Sequence, residues 1–368
     1  MRITFLLPQL DLGGGNRVVS IHAQGLADRG HEVIVVVPPP KPTRLISRIK
    51  SGKWWTEESP SIEGMKAESH FAHLSVEVRL ARQPGIILAH DVPDADLVIA
   101  TWWETAEWVL ALPASKGVRI SFVQGHEVFD YLPIERVRRT YTAPLHRIAV
   151  SSWLIRILAE QYSDRSVDLV PNAVDHNVFF ATHRHKQVNP TIGFLYSTTP
   201  SKGVGVTLSV VRLLLADIPH LRLLCFGLDS FPKFPGVEAE TEFSCRPPQS
   251  RIREIYSACD VWLTASTTEG FNLPAMEAMA CGTPVVSTRT GWPEEAIRDG
   301  ENGYLVEVGD VASLKDRATR VLSLSDSAWT AMSDRAKACA SRYTWVESTQ
   351  LFEKALLRAL AESGANAN

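Results

Sequence analysis

Two carboxylates eight residues apart bracket a helix start in the stretch Ser266-Thr-Thr-Glu-Gly-Phe-Asn-Leu-Pro-Ala-Met-Glu-Ala-Met-Ala-Cys-Gly-Thr-Pro-Val-Val286. Glu269 ends a loop, and Glu277 falls inside the short apolar helix that follows. Asn272 is placed to cap that helix, Pro274 suits its first turn, and Gly282 with Pro284 stops it before a strand at Val285 to Ser287. The neighbours Ala275, Met276, Ala278, Met279 and Ala280 predict burial on nearly all sides, where a bare carboxylate is costly. Glu277 therefore needs partners. The vicinal hydroxyls of a ribose would supply two; an ion pair with Arg289 is the structural alternative. The loop Gly270-Phe271-Asn272-Leu273 turns N–H groups and the positive end of the helix dipole toward an anion such as a phosphate. A diol and a phosphate together make a nucleotide.

The elements that must hold this stretch follow from hydrophobic periodicity. Arg2 to Pro8 is a short apolar run, the turn Gly13-Gly14-Gly15 follows, and Val18, Val19, Ile21, His22 and Leu26 recur at helical spacing up to Arg29-Gly30. Val33 to Val37 is the next strand. The chain thus opens as a βαβ unit, which implies a parallel sheet covered by helices. Leu97 to Thr101, Ile120 to Gln124, Ile148 to Ser151 and Val167 to Val170 extend that sheet. After the polar stretch His183 to Pro190, read as a solvated linker, a second round begins. Ile192 to Tyr196, Leu221 to Phe226, Val261 to Thr264 and Val285 to Ser287 read as strands, Val204 to Leu215 and Gln249 to Ala258 as helices. Two long amphipathic helices, Ala328 to Arg342 and Trp345 to Leu360, close the chain. The expectation is an α/β fold of two facing doubly wound domains, with ligands at the carboxyl ends of the strands. Glu269 stands just past such an end.

Composition narrows the classes. At 368 residues two domains are expected, and 45% hydrophobic with 21% charged residues describes a globular chain. A net charge of −3 argues against a nucleic-acid partner. No apolar run reaches transmembrane length, and Asp11 interrupts the apolar start too early for a signal peptide, so a cytoplasmic protein is expected. The five cysteines (Cys225, Cys245, Cys259, Cys281 and Cys339) are widely spaced and read as reduced packing residues. His176, His183 and His185 lack zinc spacing, and Asp94-Ala-Asp96 leads straight into a strand, so no metal and no cofactor are expected. Val18 stands where a nicotinamide-binding loop would carry its third glycine; Gly13 to Gly15 read as a close backbone approach to substrate or a tight turn.

The Glu269 to Val286 stretch closely resembles the donor-binding signature of the retaining glycosyltransferase family 4, enzymes of the GT-B fold. Gly13-Gly14-Gly15, Val123-Gln-Gly-His126-Glu127, Val170-Pro-Asn172-Ala-Val-Asp175, Ser201-Lys202-Gly203 and Gly291-Trp-Pro-Glu294 fall in the family's order. The resemblance is strongest from about Asn172 to Val306 and weakest between Lys41 and Asp94. It implies an acceptor-side Rossmann-like domain at residues 1–180, a nucleotide-sugar-binding one at 181–344, and a helix at 345–368 crossing back onto the first, with a cleft between the two domains.

The resemblance also implies roles. Glu269 would bond the transferred sugar, His126 would act near the reacting carbon, and Lys202 would place a point charge on the diphosphate leaving group. Glu277 would hold the ribose, the amides of Gly270, Phe271, Asn272 and Leu273 the sugar or phosphate, and Gly14, Gly15 and Asn172 would lie near the donor. The family pairs its lysine with an arginine five residues earlier; here that position is Ser197, which offers a hydrogen bond but no charge. Trp102, Trp103 and Glu127, just past strand ends, are candidates for the acceptor side. Lys41 to Trp55 interleaves five basic residues with Leu45, Ile46, Ile49, Trp54 and Trp55, which suits an anionic membrane surface, a lipid-linked acceptor or a plain basic helix. The function implied is retaining transfer of a hexosyl or deoxyhexosyl group from a nucleotide-diphosphate sugar to a glycan or lipid-linked acceptor, as in cell-envelope polysaccharide synthesis. A nucleotide-sugar epimerase of the same fold and a non-catalytic nucleotide-sugar-binding subunit are the alternatives.

Overall fold

The structure is a computed structural model that describes residues 1–41, 61–218, 220–231, 236–237 and 241–365. Apart from Lys41, the basic and aromatic segment up to Trp55 lies outside the described residues. The first unit comprises residues 1–149, 155–170 and 349–368, the second 150–154 and 171–348.

In the first unit the elements are β1 (Arg2–Leu6), α1 (Gly14–Asp28), β2 (Glu32–Val37), α2 (Ile62–Ala67), β3 (Glu77–Leu80), β4 (Leu97–Ala100), α3 (Trp103–Ala111), β5 (Val118–Val123), α4 (Ile134–Thr142), β6 (His146–Ala149), α5 (Ser152–Tyr162) and β7 (Val167–Leu169). Seven parallel strands lie in the order β3-β2-β1-β4-β5-β6-β7. The second unit holds β8 (Thr191–Tyr196), α6 (Val204–Asp217), β9 (Arg222–Gly227), β10 (Thr241–Cys245), α7 (Gln249–Ser257), β11 (Val261–Thr264), α8 (Leu273–Ala280), β12 (Val285–Thr288), α9 (Trp292–Ala296), β13 (Gly303–Val306), α10 (Val311–Leu322) and α11 (Asp326–Ala340). Its six parallel strands lie in the order β10-β9-β8-β11-β12-β13. The last helix, α12 (Trp345–Ala365), belongs to the first unit from Thr349 onward.

Each order reverses direction beside its first strand, between β1 and β4 and again between β8 and β11. At such a point neighbouring connections leave to opposite faces and open a crevice at the carboxyl ends. The loop after β8 carries Lys202 and the loop after β11 carries Glu269, so topology alone brings these two together.

The central strands are buried along their length and match the apolar runs of the sequence. The strands not anticipated, β3, β10 and β13, are short edge strands; β3 and β10 have no fully buried residue and so leave no apolar run to read. One expectation is corrected in the His183 to Pro190 stretch. Arg184 is buried, donating to the carbonyls of Tyr256, Cys259 and Cys281 and to Thr283 Oγ1, so it ties the ends of α7 and α8 together instead of sitting in a solvated linker. No described helix is long and apolar enough to cross a membrane.

The α12 helix docks on α1 through a buried aromatic cluster. His22 stacks on Phe352 at 4.6 Å and meets Phe122 edge-on, while Phe352 also stacks on Phe5. Gly25 permits this approach, since a Cβ there would stand 2.9 Å from Thr349 Cγ2. Around the cluster Glu353 bonds Arg29 and His31, and Arg358 bonds Asp168. Burial lowers the His22 pKa to about 3, well under the unfolded value near 6.5. The folded state thus keeps a neutral imidazole, and the stability it contributes is complete above pH 6.5 and drains away as pH falls toward 3. At pH 5 the expected loss is about 2 kcal/mol. Chemical denaturation from pH 7 to pH 4.5 should show this slope in wild type and a shallower one in His22→Phe; equal slopes would count against it.

Candidate functional site

In the second unit Lys202, Glu269, Asn272 and Pro274 line one narrow concavity together with Leu195, Thr207, Trp262, Leu263, Thr264 and Ser266. Backbone demands fix its walls. Lys202 ends a short 3-10 turn, and Gly203 follows at φ 61°, where a Cβ would come within 1.9 Å of the Ala265 carbonyl oxygen. Thr267 N–H donates to Ser201 O at 2.8 Å, stapling the β8 loop to the β11 loop. The ammonium of Lys202 consequently meets Glu269, with Nζ 2.8 and 3.0 Å from the two carboxylate oxygens. Gly203→Ala should cost about 3 kcal/mol or more in urea denaturation, because neither the left-handed backbone nor the facing carbonyl can give way. A loss under about 1 kcal/mol would mean that the two loops are not held by this contact.

The α8 helix forms as its punctuation predicts. Asn272 caps it from the left-handed region, φ 76°, a conformation that asparagine tolerates better than most side chains, and its Oδ1 accepts from Ala275 N–H. Gly291, also at positive φ, lets the next loop pass within contact of the Phe271 carbonyl and Glu269 Cβ. The Gly270 carbonyl accepts from Ser151 and the Phe271 carbonyl from Trp292 N–H, whereas the N–H groups of Gly270 to Leu273 are not spent on backbone carbonyls. Those amides stand at a helix start, where an anion is favoured.

Glu277 is 4% exposed on α8, and Tyr256 OH donates to its Oε2 at 3.0 Å. Arg289, the structural alternative as a partner, instead bonds the exposed Glu307. Ser197 spends its Oγ on Thr199 N–H within a turn, and Tyr196 is buried against Phe231 and Phe243, so neither replaces a cation beside Lys202. Asn172 is buried with its Oδ1 lacking a hydrogen-bond partner. The hydroxyls of Tyr256, Thr264 and Ser266 did not stand out in the sequence, where a lone Ser or Tyr carries no pattern of its own.

In the first unit Gly14 and Gly15 open α1, ordered by Asp11, whose Oδ1 accepts from Gly13 N–H and from Asn16 Nδ2. His126 follows β5 half-buried, with Nε2 2.8 Å from Tyr162 OH and its ring against Tyr141. Burial and, to a lesser degree, the Arg138 charge hold its imidazole below the usual value. Glu127 is fully enclosed and accepts Trp103 N–H at 2.8 Å, satisfying the first turn of α3. Burial raises its carboxyl to about 8, so it is largely protonated at neutral pH. Trp102 is half-buried, while Trp103 is buried beneath the Arg136 guanidinium, 4.9 Å from its ring centre. Among the described residues no group of three His, Cys, Asp or Glu is arranged to hold a metal.

A larger concavity opens in the first unit at the amino ends of β4 to β6 and is lined by Arg119, His146, Arg147, Asp164 and Glu362 among others. Its charges are mostly paired with one another, Arg147 with Asp164 and His146 with Glu362, and it contains none of the candidate residues. The small concavity, by contrast, brings Lys202 and Glu269 together with the first residues of α8.

A family model described as Glycosyl transferases group 1 matches residues 175–338, and one described as Glycosyltransferase Family 4 matches residues 12–178. A D-inositol 3-phosphate glycosyltransferase of Corynebacterium urealyticum is 33% identical over 168 residues, covering 42% of this chain and 39% of that protein. The match thus spans about two fifths of the relative's own length. Sucrose-phosphate synthase from Thermosynechococcus elongatus has the same fold with a TM-score of 0.75 at 17% identity, covering 99% of this chain and all of that one. HepE of Anabaena, solved in complex with UDP-glucose, gives a TM-score of 0.71 at 17% identity over the whole of both chains.

Proposed function

The chain belongs to glycosyltransferase family 4 and has its GT-B fold, and from that premise we propose that it transfers a hexosyl or deoxyhexosyl group from a nucleotide-diphosphate sugar to a hydroxyl-bearing acceptor with retention at the anomeric carbon. The observation that carries the reading is the convergence of Lys202, Glu269 and the α8 amino terminus on one concavity, with Glu277 buried on the same helix. Lys202 and the amides of Gly270 to Leu273 offset charge growing on the diphosphate as the glycosidic bond breaks. Glu269 accepts hydroxyls of the departing sugar, and Glu277 accepts the ribose hydroxyls.

The mechanism that suits these groups is front-face attack. Neither carboxylate is offered as a free nucleophile, since Ser266 donates to Glu269 and Tyr256 to Glu277. The acceptor oxygen attacks on the face from which the diphosphate leaves, and the leaving phosphate takes its proton. No metal enters this scheme, because Lys202 and the helix terminus carry the leaving-group charge. HepE was solved with UDP-glucose and the curated relative is named for inositol 3-phosphate, so UDP-glucose and inositol 3-phosphate head the donor and acceptor panels. Trp102 and Trp103 remain the acceptor-side candidates and His126 the candidate beside the reacting carbon, while Glu127 accepts from the start of α3.

The test is turnover of a panel of nucleotide sugars with inositol phosphates and glycan acceptors, followed by NMR of the product. Release of nucleoside diphosphate with an anomeric coupling constant matching the donor's configuration is expected. Inversion, isomerisation of the donor alone, or binding with no turnover across the panel would overturn the proposal.

A further inference from the structure

Glu269 is the end of a hydrogen-bond chain that the established motif does not contain. Asn272 Nδ2 donates to Thr264 Oγ1 at 3.1 Å, the hydroxyls of Thr264 and Ser266 lie 3.4 Å apart, and Ser266 Oγ donates to Glu269 Oε1 at 2.8 Å. Chemistry fixes the direction of the proton between the two hydroxyls. The Ser266 proton is committed to the carboxylate, which accepts only, and Thr264 already accepts from an amide, so Thr264 donates to Ser266. Every link therefore points from the cap of α8 toward Glu269. Ser266 and Asn272 are buried, which keeps water from replacing the links.

The other hold on Glu269 is Lys202, and the two holds differ in permanence. Lys202 is bound to Glu269 through both carboxylate oxygens, so an incoming diphosphate must take the ammonium away from it. At that moment only Ser266 fixes Oε1. We infer that Thr264 and Ser266 are positioning residues that keep the Glu269 carboxylate in register with the α8 amino terminus once Lys202 has moved to the diphosphate. The inference rests on the donor-site reading above. It predicts that their loss harms the step in which Glu269 holds the sugar while leaving diphosphate binding intact.

Two arms test it. The first needs no donor: crystal structures of Lys202→Met and of Lys202→Met/Ser266→Ala. The carboxylate should stay on Ser266 in the single variant and leave that position in the double one; the same carboxylate position in both would overturn the inference. The second compares Thr264→Val, which keeps the shape but loses the hydroxyl, with Thr264→Ser, which keeps the hydroxyl, beside Ser266→Ala. Thr264→Val and Ser266→Ala should lower kcat with UDP-glucose about tenfold, the loss expected for a hydrogen bond to a charged group, with the Kd for UDP within about twofold of wild type and Thr264→Ser close to wild type. A parallel fall in UDP affinity and kcat, unrelieved in Thr264→Ser, means that the hydroxyls only hold the loop together, and overturns it. Wild-type protein inert toward the whole panel of nucleotide sugars would instead strike the donor reading, and the first arm would still decide for or against the positioning role.

Discussion

Glu277→Ala protein will no longer be stabilised by the nucleotide that stabilises wild type. Glu277 is 4% exposed, and its charge is held in an apolar helix whose other members, Ala275, Met276, Ala278 and Met279, offer it no hydrogen bond through their side chains. Tyr256 donates to one of its oxygens, and a carboxylate is an acceptor that two neighbouring hydroxyls of a diol can address together. A hydrogen bond to a charged group is worth about 1.5–3 kcal/mol, so losing a diol's two should weaken the nucleotide by at least a hundredfold. A ligand at 100 times its Kd adds about 2.7 kcal/mol of stability, and that gain would vanish in the variant. Differential scanning fluorimetry with UDP, GDP, ADP and dTDP reads the effect directly. Glu277→Gln separates charge from shape: it preserves volume, and it too should lose most of the shift. An undiminished shift in either variant would remove Glu277 from the ribose. Tyr256→Phe should cost far less, because it leaves the carboxylate in place.

How much of this could be seen in the amino-acid sequence depends on which physical signal each feature leaves. Buried parallel strands such as β1, β2, β8 and β11 are unbroken apolar runs, and α8 carries its own cap and stop in Asn272, Pro274 and Gly282; these were readable to within a residue or two. The edge strands β3 and β10 were not, because a strand with one partner and half-exposed faces needs no apolar alternation. Glu277 stood out because burying a carboxylate in an apolar helix conflicts with local preference, and Glu269 stood out by its eight-residue spacing from it across the helix start. Their hydroxyl partners were invisible for the opposite reason. Tyr256, Thr264 and Ser266 are ordinary residues of a helix end and a strand end, and only the fold reveals where their protons go. Arg184 misled for a related reason: flanked by two histidines and a lysine it reads as solvated, yet its guanidinium is consumed by carbonyls that come from helices more than seventy residues away.

Lys202→Met should lower kcat by two to three orders of magnitude, the effect of removing one preorganised donor from a developing oxyanion, about 3–4 kcal/mol. The large figure follows from what is missing beside it. Ser197 occupies the position where the family carries a second cation, and its hydroxyl, which accepts from Thr199 N–H, carries no charge, so the α8 amides are the remaining electrostatic support for the leaving group. Stability should change little, since the Lys202 side chain is 30% exposed and its pair with Glu269 is partly screened. Lys202→Arg is the informative companion. A compact ammonium reaches a diphosphate as a point charge, while a planar guanidinium needs room for its fork beside Leu195, Thr207 and Trp262. Lys202→Arg should therefore retain the affinity for UDP better than it retains kcat. If Lys202→Met keeps kcat within about threefold of wild type, the leaving group is neutralised elsewhere. Lys202 would then be no more than a structural partner of Glu269.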